Sequence, residues 1–316
     1  MCTGRHVAAG AALLLLALLL GGCAPTPQLT RLEQHPLDLP PRVELTKVAF
    51  FPQQQYQCGP AALATLLNRA GDAVTPEQLA PEVYLPARKG SLQLDLVGAA
   101  RRHGFVAYLL RPRLDDLLTE VAAGHPVLVL QNLALRWVPR WHYAVVVGYD
   151  LPRRRIVLRS GAERRHDISL SRFEHTWRRA DYWALLVLKP GVLPRTAEPL
   201  RYVQAVVGLE QVHRWRAART AYAAAWRRWP GNLAAGVGLG NSQYALGDLS
   251  AAARTLRTLT KRHPESAVAY NNLATVLADQ GRWAEAERAA RRAVAIGGAD
   301  AERYRQTLRD IRQRRP

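Results

Sequence analysis

Gln53-Gln54-Gln55-Tyr56-Gln57-Cys58-Gly59-Pro60-Ala61-Ala62-Leu63 is the stretch on which the reading of this 316-residue chain turns. Gly59-Pro60 followed by an apolar run to Asn68 predicts a helix with proline in its first turn, where the missing N–H is no loss. Cys58 then stands at the positive end of a helix dipole, which favours the thiolate, the nucleophilic form of the side chain. An isolated cysteine is ordinarily buried and inert; the place at a helix start and the cysteine count argue against that here. Of the three cysteines, Cys2 and Cys23 bracket an apolar N-terminal run, so Cys58 is alone in the body of the chain.

A thiol nucleophile needs a base. Among nine histidines only His142 has a context, in Trp141-His142-Tyr143-Ala144-Val145-Val146-Val147-Gly148-Tyr149-Asp150, which places it at the mouth of an apolar strand. Cys/His pairs are commonly distant in sequence and adjacent in space. Around them, a strand is expected over 42–51 and a helix after Thr75-Pro76. Ser91 is read as the cap of a further helix that stops at Gly104. A strand over 105–110, a helix over 114–123 and a buried strand over 126–130 follow. Paired strands over 142–149 and 155–159, a helix over 170–177 and a strand over 183–188 complete the unit. Helices first and then a mostly antiparallel sheet make an α+β domain.

The Cys-Gly-Pro-Ala-Ala segment and the His-Tyr-Ala-Val-Val-Val-Gly-Tyr-Asp segment resemble the papain-like, double-glycine leader (bacteriocin-processing) cysteine peptidases, and in particular their lipoprotein members with tetratricopeptide tails. The likeness covers roughly Val43 to Leu188 and implies a papain-like fold with Cys58 as nucleophile and His142 as base. It also implies a glutamine upstream of the cysteine that donates to the oxyanion. Gln53 is the first choice, although it lies five residues before Cys58 and the family spacing of six falls on Pro52; Gln54 and Gln57 remain alternatives. The family orients its histidine with an aspartate on the next strand. If the hairpin turns about Leu151, Ser160 stands opposite His142 instead. A hydroxyl fixes a tautomer but does not stabilise imidazolium as a carboxylate does. Asn132 and Asp167 are the other candidates for this role. Arg136-Trp137-Val138-Pro139-Arg140-Trp141 either walls a substrate cleft or covers the core. There is no phosphate-cradling glycine loop. Glu163, His166 and Asp167 lack a further histidine or cysteine to complete a metal site and read as a solvated polar turn, so neither cofactor nor metal is expected.

The ends set the setting. Arg5 and His6 precede the apolar run Ala11 to Leu20, which closes in Leu20-Gly21-Gly22-Cys23. That is the pattern of a secretory signal, too short to span a bilayer. It resembles the bacterial lipobox, which implies a signal peptide over 1–22, lipidation of Cys23 and a solvated, extended tether over 23–41. Ala24 after the cysteine implies, by likeness to Gram-negative lipoproteins, the outer membrane facing the periplasm. The peptidase domain is expected over 42–190 and a linker over 191–198. Beyond it Pro230 and Pro264, like Gly247 and Gly281, are 34 residues apart, and Ala218, Ala252 and Ala286 recur in the same register. This resembles the tetratricopeptide repeat. Three repeats over 199–300 and a capping helix over 301–316 are expected, as an all-α solenoid separable from the first domain. The net charge of +19 is almost all arginine. Those arginines are spread along an exported chain, so no nucleic-acid partner is expected. The expected function is an exported cysteine peptidase acting on a peptide or protein, its repeats recruiting substrate or a protein partner. The alternative is a peptidase fold kept as a peptide-binding module.

Overall fold

The computed structural model describes residues 26–52 and 57–316; Cys23, Gln53 and Gln54 lie outside the described residues. One antiparallel sheet organises the first half. Its strands are β1 (Arg42–Glu44), β2 (Val106–Leu109), β3 (Val127–Asn132), β4 (Trp141–Asp150), β5 (Arg155–Ser160), β6 (Glu163–Ser169) and β7 (Ala184–Leu188). They run in the order β2-β7-β3-β4-β5-β6, with β1 beside β4. The near half of β4 pairs with β3 and its far end, from Gly148 to Asp150, with β1.

Alternation along β4 divides the core. Tyr143, Val145 and Val147 face the helices α2 (Cys58–Ala70), α3 (Pro76–Val83) and α4 (Gln93–Arg102). Ala144 and Val146 face α1 (Pro27–Gln34), α5 (Leu114–Ala122) and α6 (Leu170–Arg178). With both faces covered, β3 and β7 are buried along their whole length. That burial is why β7, and β3 up to Leu130, are continuous apolar runs without polar alternation. α3 opens as its sequence predicts, with Thr75 and Gln78 forming a reciprocal capping box.

Four expectations need correction. The residues read as an extended tether contain α1, whose Leu29 and Leu32 are buried. Its first N–H groups donate to the buried carboxylate of Glu174, from Gln28 at 3.0 Å and Leu29 at 2.8 Å. A cap supplied from the far side of the domain leaves no local signature. The strand expected over 42–51 is three residues long. Glu163, His166 and Asp167 lie on β6, a true strand paired with β5, and not in a turn. Ser91 does not cap α4; Leu92 holds that position, its N–H accepted by the Asp95 carboxylate at 3.4 Å.

The second half is all helix. It runs as α7 (Pro199–Gln211), α8 (Trp215–Arg228), α9 (Leu233–Ala245), α10 (Leu249–Arg262), α11 (Ala267–Asp279), α12 (Trp283–Ile296) and α13 (Ala301–Arg314). Ala218, Ala252 and Ala286 are fully buried, the small side chains letting neighbouring helices approach. This half does not stand apart from the first. Tyr202, Val206 and Leu209 of α7 belong to the same apolar cluster as β2, with the Tyr108 and Tyr202 rings 6.4 Å apart. The connecting segment is bonded down as well: Thr196 donates to the buried Glu120 through its N–H (2.6 Å) and its hydroxyl (2.7 Å). No helix among the described residues is long and apolar enough to cross a membrane.

Candidate active site

Cys58 is the first residue of α2, and its half-buried side chain packs against the α2–α4 face of the core. Burial pushes the thiol above its ordinary pKa. The backbone N–H groups of Tyr143, Gly59 and Cys58 itself bond to the sulfur and pull the other way, without prevailing. This corrects the expectation of a thiol acidified by its helix. The helix-start donors are present, but desolvation outweighs them. Gly59 explains how the site closes so tightly. A Cβ there would collide with the Ser91 hydroxyl, so only glycine lets the start of α4 lie over the start of α2. Tyr143 ties the same corner together, its hydroxyl donating to Ser91 O at 3.2 Å.

His142 lies at the open end of β4, one residue before Tyr143, whose amide meets the sulfur. Its Nε2 is 2.8 Å from Ser160 Oγ. Burial, with the positive charges of Arg140 and His166 nearby, holds the imidazole down to about 4. The contact with Ser160 arises differently from the hairpin geometry read in the sequence. Val145 pairs with Arg159, and the register slips between Val146 and Gly148, so Ser160 falls one step past that pair. It reaches His142 diagonally along the shared face instead of standing opposite.

The other candidates are occupied elsewhere. Asn132 is a buried hub: its Oδ1 accepts from Ala134 N (3.0 Å) and Arg140 N (2.9 Å), and its Nδ2 donates to Leu135 O (3.2 Å). Asp167 is ion-paired with Arg155 (2.6 Å) and Arg165 (3.0 Å). Gln57 sits at the N-cap of α2 with no side-chain cap bond. Glu163 and His166 form a pair at 2.9 Å. Among the described residues no group of His, Cys, Asp and Glu is arranged to hold a metal ion. The Trp-rich stretch before His142 does not cover the core, for Trp137 is 80% and Trp141 53% exposed. The Tyr143 amide is the participant that sequence reasoning missed; a backbone donor has no residue-type signature. The Cys58 sulfur thus meets the Tyr143 amide, and the His142 ring, one residue earlier on β4, meets Ser160.

Two family models match the chain. Residues 45–185 match the peptidase C39 like family and residues 237–301 the tetratricopeptide repeat. The chain therefore carries a C39-like peptidase domain, an α+β unit with an open sheet, followed by a helical region of tetratricopeptide type. Among solved structures, a C39-like peptidase from Bacillus anthracis is 20% identical, with 47% of this chain and 98% of that one covered at a TM-score of 0.40. The peptidase domain of Streptococcus ComA, a bi-functional ABC transporter involved in a quorum sensing pathway, is 21% identical over 45% and 98% at a TM-score of 0.37. The Yersinia enterocolitica type III secretion chaperone SycD, in complex with a peptide of the translocator YopD, is 16% identical over 39% and 99% at a TM-score of 0.35. No curated protein sequence matches the chain.

Proposed function

We propose that this chain is an exported cysteine peptidase. In this reading it is held by a lipid on Cys23 at the outer membrane, facing the periplasm, and its repeats bind a substrate or partner protein. The observation that carries the reading is one contact: the sulfur of Cys58, at a helix start, bonded to the amide of the residue next to His142, whose ring is steadied by Ser160. With the Nε2 proton donated to Ser160 Oγ, Nδ1 keeps its lone pair. The S–H proton passes to Nδ1 as sulfur attacks the carbonyl carbon, and the carbonyl electron pair moves to oxygen. Amide donors at the start of α2 and the Gln53 side chain receive that oxyanion. Collapse expels the amine, which takes the proton from imidazolium. Water then attacks the thioester, losing its proton to Nδ1, and the acid leaves as the thiol is restored.

The resting pair in this scheme is neutral, so the proton moves during attack and not before it. His142 must be unprotonated to act, so the rate is expected to hold through neutrality and to fall as the pH drops toward about 4. A second reading, a peptide-binding module, draws support from the same raised thiol and from a serine where the resembled family has a carboxylate. New N-termini in an exported proteome, compared among wild type, Cys58→Ala and His142→Ala, separate the two. The peptidase reading requires wild-type-dependent cleavage, absent with Cys58→Ala and slowed roughly 10²–10⁴-fold with His142→Ala. Peptides retained uncut by all three proteins would establish the binding module instead.

A further inference from the structure

The loop between β3 and β4, residues 133–140, carries side chains that the proposed chemistry does not use. Leu135, Trp137 and Val138 are exposed, as is Trp141 where β4 begins. Arg136 and Arg140 are exposed among them, and no carboxylate lies between Asn132 and His142. The loop is held firmly in this form. Besides the Asn132 hub, Leu133 N–H donates to Arg140 O (2.9 Å), Leu135 bridges to Val138, and Arg179 Nε donates to Asn132 O (3.1 Å). A rigid tip that keeps an indole 80% in water has no internal partner for it.

An anionic bilayer has the matching chemistry. Tryptophan favours the boundary between acyl chains and headgroups, where its apolar body is buried and its N–H stays wet. Arginine is drawn to anionic headgroups. We infer that the β3–β4 loop docks the protein onto an anionic lipid bilayer, with Trp137 and Val138 at the acyl boundary and Arg136 and Arg140 on the headgroup phosphates. The path of the chain agrees. Arg179, which grips the loop base, directly follows α6, and Glu174 of that helix holds the start of α1. The two grips are thus five residues apart, about 7.5 Å along the axis of one short helix. Since His142 follows Trp141, docking brings the candidate site to the lipid surface.

The test uses the full chain bound to vesicles of phosphatidylethanolamine and phosphatidylglycerol whose acyl chains carry bromine near the headgroup. Tryptophan emission should be quenched in wild type. Trp137→Phe/Trp141→Phe should remove most of the quenching, because none of the other six tryptophans of the eight is exposed and Trp177 is fully buried. Arg136→Ser/Arg140→Ser should lower the loop's occupancy of the surface by on the order of 30-fold, with most of the quenching lost, and phosphatidylcholine vesicles should do the same. Membrane-bound wild type without quenching overturns the inference, whether or not the protein cleaves peptides. So does quenching that stays undiminished in Trp137→Phe/Trp141→Phe. Emission that ignores lipid but shifts with added apolar peptides would also overturn it, making the loop a peptide subsite.

Discussion

His142 and Ser160 meet at 2.8 Å, and that contact sets what the site can do. A serine hydroxyl either accepts from Nε2–H or donates to Nε2, and only the first leaves Nδ1 free to receive a proton. A carboxylate would enforce the first and stabilise imidazolium too. Ser160→Asp is therefore expected to raise the imidazole pKa by about 1–3 units, to shift the acid limb of the cleavage profile upward with it, and to increase kcat/KM roughly tenfold. Ser160→Ala should cost about 1 kcal/mol. A pH–rate profile of the three proteins checks this; a limb that stays in place with Ser160→Asp removes Ser160 from the mechanism. At this scale the sequence singled out Cys58 and His142 as candidates because their flanks, Gly-Pro and an apolar strand, are local patterns. It misjudged the thiol pKa, since no local pattern reports how far the rest of the chain buries the sulfur.

Elements were legible where apolar periodicity was strong. Strands β3, β4 and β7 and helices α2, α3 and α5 fall close to their expected places, because each buries a face that its own residues announce. β6 stayed hidden because it is an edge strand, and Glu163-Arg164-Arg165-His166-Asp167 is solvated and charged, as unpaired edges commonly are. The register slip near Gly148 was hidden for another reason: it falls where β1, distant in sequence, pairs with β4. A Cβ on Gly148 would run into Val43 O and approach Glu44 Cα to 3.0 Å. Gly148→Ala should therefore push β1 away from β4 and cost about 2 kcal/mol, within the usual range for overpacking. Urea unfolding of the two proteins measures it; an unchanged midpoint would mean that β1 contributes nothing to the sheet.

For the whole molecule, repeats and peptidase-like domain were each readable, while their union was not. The 34-residue register gives away the helical pairs, yet nothing in α7 marks that one of its faces is pressed on β2. The fused core argues that the halves unfold together. The full chain should show a single thermal transition by circular dichroism and by tryptophan emission. A fragment starting at Pro199 should melt well below it, because Tyr202, Val206 and Leu209 lose their partners. Two separate transitions in the full chain would instead support independent halves. The docking of α1 carries a different consequence. With Cys23 lipidated, only the link from Cys23 to Pro27 is left to span, about 14 Å when fully extended. On so short a leash the body would not roam the compartment, and it would meet any target by drifting in the plane of one leaflet. Its turnover would then follow the number of targets per unit of membrane area, and diluting the surrounding fluid would leave it unchanged.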